Sequence, residues 1–216
     1  MPYRETAQTR ARRDAARERI VAAARVQVAE GGYASASVQA VASRAGVATG
    51  SVYRHFPSKA ELFAEVFRHA SQRELDVVVA TMANGELPPS ERLAAAGEAF
   101  ARRALAAPTM AYALLAEPVD PAVENERLRF RRGYRDAFKG ALDEGIAAGE
   151  FREHDTEIAA AAIVGALAEA LVGPLSPASN GHGAQRHHDA LVANLIQFCL
   201  RGITKENADV GARSHA

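Results

Sequence analysis

Apolar residues return at intervals of three and four along almost the whole chain, and no stretch alternates with period two. The pattern predicts an all-α protein of about nine helices. A first helix is expected from about Arg12 to Glu30, with Ile20, Ala24, Gln27 and Val28 on one face and Gly31-Gly32 as its stop. Ser37 is placed to cap a short helix that runs to about Arg44. Gly46 breaks that helix, and another short one reaches about His55 before Pro57.

Ser58-Lys59-Ala60-Glu61 is a capping box, in which serine accepts from a backbone N–H and glutamate reaches back. It opens a long helix with Leu62, Val66, Phe67, Leu75 and Val78 on its apolar side. Ser90 starts the next, and Pro108 and Pro118 bracket a short one. Asp120-Pro121 pairs a cap with a proline at the first helical position and opens a stripe of Phe130, Tyr134, Phe138, Leu142 and Ile146. Asp155 caps a helix from Thr156 to Val172, residues 174–183 read as a loop, and a last helix spans about Arg186 to Arg201. Residues 206–216 read as a flexible tail.

The 216 residues carry no formal net charge, but the charge is unevenly spread. Residues 1–60 hold ten Lys and Arg against four Asp and Glu, a net of +6, and the remainder is correspondingly acidic. Such asymmetry fits one end meeting a polyanion, the alternative being chance clustering of surface charge. The longest uncharged run in the most apolar region, Ile158 to Ala168, has 11 residues. A bilayer span takes about 20, so no membrane helix is expected. The basic start of the chain has no apolar stretch behind it and does not read as a signal peptide. The single cysteine, Cys199, fits a reducing cytoplasm.

The densest information lies in residues 37–59, SVQAVASRAGVATGSVYRHFPSK. Two short helices meet at Gly46, with Ala42 small enough for a close crossing and Val41, Ala45, Val47 and Val52 forming a small core between them. This is the pattern of a helix-turn-helix, whose second helix enters the major groove, about 12 Å wide. Ser37, Ser51, Tyr53, His55 and Lys59 offer hydroxyl, imidazole and ammonium groups to phosphates. Base reading falls to Gln39, Thr49, Ser51 and Arg54, and Gly50 allows close backbone approach. Arg10, Arg12, Arg13 and Arg17 are either a basic arm on the phosphate backbone or a solvated face.

These residues resemble the TetR/AcrR family of bacterial transcriptional regulators. The likeness rests on Gly32-Tyr33, Ser37-Val38, Val41-Ala42, Ala45-Gly46-Val47, Gly50-Ser51-Val52-Tyr53, His55-Phe56-Pro57-Ser58-Lys59 and Leu62-Phe63. Ala36 and Ser51 stand where threonine is frequent. The resemblance implies a helix-turn-helix DNA-binding domain over residues 1–57, its basic arm at 1–13, and a larger helical ligand-binding and dimerisation domain over 58–205. It implies a homodimer that binds a palindromic operator, represses transcription and is released by an unidentified small molecule. The ligand cavity would lie among the middle helices, with Phe100, Met110, Leu114, Glu117, Phe130, Tyr134 and Phe138 as candidate lining. The last two helices would form the dimer interface through Ile163, Leu167, Leu171, Leu191 and Leu195.

No catalytic constellation, nucleophile elbow or Gly-rich phosphate loop is visible, so no enzyme and no cofactor are expected. His182, His187 and His188 match no zinc spacing, and no metal is assigned. Two rival readings stand beside the regulator: a helical enzyme acting on an apolar small molecule, and a nucleoid-type architectural protein. The acidic remainder of the chain argues against the second.

Overall fold

The computed structural model describes residues 7–179 and 184–205, with the backbone alone at 179 and 184–187. Among these residues nine α-helices follow one another: α1 (Ala7–Ser35), α2 (Val38–Ala45), α3 (Thr49–His55), α4 (Lys59–Met82), α5 (Pro89–Ala106), α6 (Pro108–Leu115), α7 (Pro121–Ala147), α8 (Thr156–Leu175) and α9 (Ala184–Arg201). A short 3-10 turn covers Pro177–Ser179. The all-α expectation is met. The expected tail lies outside the described residues, as do His182 and the side chain of His187.

The helix ends follow the expected chemistry. Ser37 Oγ accepts from Ala40 N at 3.2 Å, and Gly46 ends α2 in the left-handed region at φ 67°. Ser58 Oγ accepts from Glu61 N at 3.1 Å to open α4. Asp155 Oδ1 accepts from Glu157 N and Ile158 N at 2.9 and 3.0 Å to open α8.

Two boundaries differ. Helix α1 begins by Ala7, well before Arg12, so residues 7–13 of the expected arm are helical. Alanine and arginine propagate a helix readily even where every side chain is exposed. Helix α8 extends past Val172 to Leu175 and carries Pro174 in its final turn. Gly32 sits at φ 77° inside α1 and kinks it, leaving one further turn to Ser35.

The chain divides into two compact units. The first takes the described residues of Met1–Glu74, Ala104–Phe130 and Val172–Asn180. Its core holds Ile20, Val28, Val41, Val52, Phe63, Phe67, Ala113 and Val123. Helix α6 and the start of α7 thus group with the N-terminal helices in this unit. The second unit takes Leu75–Arg103, Arg131–Leu171 and the described residues of Gly181–Ala216. Val78, Leu93, Phe138, Leu142, Phe151, Ile163 and Leu167 fill its core.

In this second unit Phe151 is 1% exposed and folds back onto α7. A Cβ on Gly145 would stand 2.2 Å from its ring, so only glycine fits there. Arg152 N donates to Ile203 O at 3.1 Å, and its guanidinium donates to Gly202 O. The end of α9 is tied in this way to the link between α7 and α8.

The apolar side chains of α8 and α9 divide between the inside and the outside of the protomer. Ile163, Leu167, Leu171 and Leu195 are buried within the protomer's own core, and Leu191 is half-buried. The large exposed apolar side chains on these helices are Ile158 and Phe198. Helix α8 is apolar on every side, so periodicity cannot separate the face that meets the core from the face that does not. An 18-residue window of Thr156–Leu175 reaches a mean hydropathy of 2.0, long and apolar enough by length and composition alone to cross a bilayer, a property it shares with core helices of soluble proteins.

Candidate nucleic-acid interface

The first unit positions the groups singled out for DNA. Val41 and Val52 are essentially fully buried, Ala42 is 2% exposed, and Ala45 and Val47 pack against them. Small side chains and the left-handed Gly46 set the joint between α2 and α3. Val47 N donates to Ala42 O at 3.0 Å across the turn.

Outside this joint, Gln39 and Arg54 are exposed, Tyr53 is 47% exposed, and Thr49 and Ser51 are half-buried. A Cβ at Gly50 would meet nothing within 4 Å, so internal packing does not require glycine there. Ser37 is already engaged as the cap of α2.

His55 is half-buried at the end of α3. Burial, and then the positive charges of Arg13, Arg17 and Arg54, push its pKa below the ordinary histidine value. The basic face of α1 is therefore electrostatically continuous with the end of α3. Arg17 also stacks over Phe56, 4.9 Å from the ring centroid.

Lys59 is more constrained than a solvated lysine. Its Nζ lies 4.8 Å from the centroid of Tyr33 and 5.6 Å from that of Phe63. Tyr33 meets Phe63 edge-on at 5.3 Å and donates its hydroxyl to the Asp120 carboxylate. Nothing local in the sequence announces the Tyr33–Asp120 pair, whose members are 87 positions apart. Asp120, expected only as a helix cap, spends its carboxylate on this bond.

Behind the interface, Glu65 is 7% exposed and carries Arg17 at 2.8 Å, His69 at 3.1 Å and Arg68. Burial alone would raise its pKa, but the hydrogen bonds and charges of these partners hold the carboxyl below its ordinary value. Arg68 goes on to Glu126 at 2.7 Å, so α1, α4 and α7 share one ionic network.

The candidate ligand residues are divided between the two units. Met110 and Leu114 pack against the first core, and Phe130 is buried in the same unit. Glu117 gives its carboxylate to the Tyr33 and Ala34 amides at 2.7 and 2.9 Å. Phe100 and Tyr134 form an edge-on pair at 5.9 Å in the second unit, where Phe138 is buried. A small apolar cavity in that unit is lined by Leu93, Gly97, Phe138, Ile163, Leu167 and Cys199, among others.

Comparison with known proteins agrees with this geometry. Residues 20–66 match the tetR family of bacterial regulatory proteins, and residues 86–171 match a tetracyclin repressor-like C-terminal domain. The HTH-type transcriptional repressor KstR of Rhodococcus jostii is 40% identical over 57 residues, a stretch covering 26% of this chain and 27% of that repressor. The regulator FadR from Bacillus subtilis, solved with stearoyl-CoA, has a similar fold. Its TM-score is 0.72 at 22% identity, over 86% of this chain and 98% of that one. The fatty acid degradation regulator FadR of Bacillus halodurans gives 0.69 at 25% identity, with the same coverage. The chain belongs to the tetR family and is an all-helical transcriptional regulator with a helix-turn-helix head.

Proposed function

We propose that this chain is a ligand-released repressor that reads a palindromic operator as a homodimer. The observation that carries the reading is the joint at Gly46. It holds α2 and α3 through small buried side chains while Gln39, Tyr53 and Arg54 stay outside. One head makes too few base contacts to select a site, and a two-fold partner supplies a second half-site about 34–36 Å away or a multiple of that distance.

In this reading Gln39, Thr49, Ser51 and Arg54 face base edges, and Gly50 lets the backbone approach. Ser37, Tyr53, His55 and Lys59 hold phosphates. The dimer forms through the outer faces of α8 and α9. Ile158 and Phe198, 68% and 70% exposed, border a groove of about 540 Å³ that also includes Ala162 and Ala166. The leucines and Ile163 beneath support that surface from within.

Release follows from linkage: an effector that favours a spacing of the heads unlike the operator's opposes DNA by the same free energy that DNA opposes it. About 3 kcal/mol of coupling weakens the operator complex on the order of 100-fold. Helix α4, which contributes to both compact units, is the lever. The apolar groups of the second unit, with Phe100, Tyr134 and Phe138, suit an effector with an apolar body. The stearoyl-CoA complex of a protein of similar fold makes a long-chain acyl-CoA the first compound to test.

The test is selection of duplexes from a random pool by the full chain, followed by anisotropy titrations across salt. A palindromic consensus should emerge. Tyr53→Phe and Lys59→Ala should weaken binding to every duplex, whereas Gln39→Ala and Thr49→Ala should relax sequence choice. No enriched sequence, or uniform losses of specificity in all four variants, would overturn the reading. Stearoyl-CoA added to the complex should lower the anisotropy; no change removes that effector class and leaves the DNA reading intact.

A further inference from the structure

The kink at Gly32 creates a local problem that residues far along the chain solve. At φ 77° and ψ 177° Gly32 interrupts α1, and the amides that follow lose their helical acceptors. Glu117 takes the Tyr33 and Ala34 amides with its two carboxylate oxygens, at 2.7 and 2.9 Å. Charge-assisted bonds of this kind are the stronger class. The approach is close: a Cβ on Gly32 would stand 3.0 Å from Glu117 Oε2. Asp120 receives the hydroxyl of the same Tyr33.

The far side of that tyrosine ring faces a cation. Lys59 Nζ is 4.8 Å from its centroid, and Phe63 adds a second ring at 5.6 Å. A phenol that donates to a carboxylate carries more electron density in its ring and attracts a cation more strongly. Burial, and then Asp120, push the Tyr33 hydroxyl above its ordinary pKa, so it remains a donor.

We propose that Glu117 and Asp120 are positioning residues for DNA-backbone binding: they fix Tyr33 at the end of α1 so that its ring presents the Lys59 ammonium to a phosphate. This rests on the reading of Lys59 as a phosphate ligand. The positioning segment is itself anchored. The Arg127 guanidinium donates to Leu114 O at 2.9 Å, Glu117 O at 2.8 Å and Ala113 O at 3.1 Å. Displacing the end of α6 therefore draws on the same bonds that orient Lys59.

The experiment uses the full chain and a duplex recovered by selection from a random pool. Tyr33→Phe, Asp120→Asn and Glu117→Gln are each made alone and together with Lys59→Met, and thermal unfolding monitors the fold. With Lys59 present, Tyr33→Phe and Asp120→Asn should weaken binding about 3- to 5-fold. In the Lys59→Met background neither should change affinity further, a coupling that a purely structural clamp would not produce. Equal losses in both backgrounds, or none in either, overturn the positioning role. If Lys59→Met alone binds as the parent does, the phosphate reading of Lys59 fails instead, and the positioning proposal falls with it. Tyr33→Phe keeps the ring and carries the test if Glu117→Gln does not fold.

Discussion

The helix-turn-helix head and the helix pair α8–α9 bury apolar residues by opposite means. In the head, polar or flexible residues punctuate the chain: Ser37 and Gly46 bound α2, and Ser58 opens α4. The joint between α2 and α3 is packed with small side chains whose places are set by those stops, over the larger Phe63 and Phe67 of α4. Helix α8 carries apolar residues all round, with Ile163 and Leu167 inside and Ile158 outside. Its sequence specifies a helix without specifying which side belongs to the protomer. A motif that must fit a rigid external object is written locally, whereas a surface that can be covered by another apolar surface is not.

Truncating an aromatic in each region sharpens the contrast most. Phe63→Ala, at a site with 0% exposure, should cost about 3–5 kcal/mol of stability by denaturant unfolding. Phe198→Ala, at 70% exposure, should leave the protomer's stability near the parent's. It should weaken self-association by roughly 2 kcal/mol, about 30-fold, in sedimentation velocity. An unchanged association constant would remove Phe198 from the proposed interface.

Two glycines in the head give a smaller and opposed pair of effects. Gly46→Ala should cost about 1–2 kcal/mol, because φ is 67° although the space beside it is open. Gly50→Ala, inside α3, should stabilise the fold by up to about 1 kcal/mol while weakening operator binding. If it stabilises and binding is unchanged, close backbone approach at Gly50 is wrong.

The smallest effect concerns pH. His55 has a lowered pKa in the free protein, so the folded state binds fewer protons here than the unfolded one. Its contribution opposes folding as pH falls below about 6.5 toward the folded value. Phosphates beside the ring would raise that pKa, so operator binding should take up protons and tighten about 2- to 3-fold over the same window. His55→Gln should flatten the profile in anisotropy titrations at fixed salt.

Much of the head was legible because its information is local. The cap at Ser37, the turn at Gly46 and the Val41–Val52 core all lie within the span the sequence pattern covers. The Tyr33–Asp120 and Glu117 bonds were not legible, since their partners stand more than eighty positions apart and no periodicity links them. Glu117 looked like a carboxylate available to a ligand, and its two amide partners became acceptor-seeking only through the kink at Gly32. The interface leucines of α8 are less legible for a different reason: on a helix with no polar side, leucine marks burial without saying by what.

The bond between Arg152 and the end of α9 carries a practical lesson about where this polypeptide can be edited. Ile203 is 4% exposed, and Thr204 pairs with Phe151 in an isolated antiparallel bridge. The closing stitches of the second unit are therefore supplied within its last few described positions. A stop codon placed before Gly202 would unpick them, whereas a fluorescent or affinity label spliced on after Lys205 leaves every one intact.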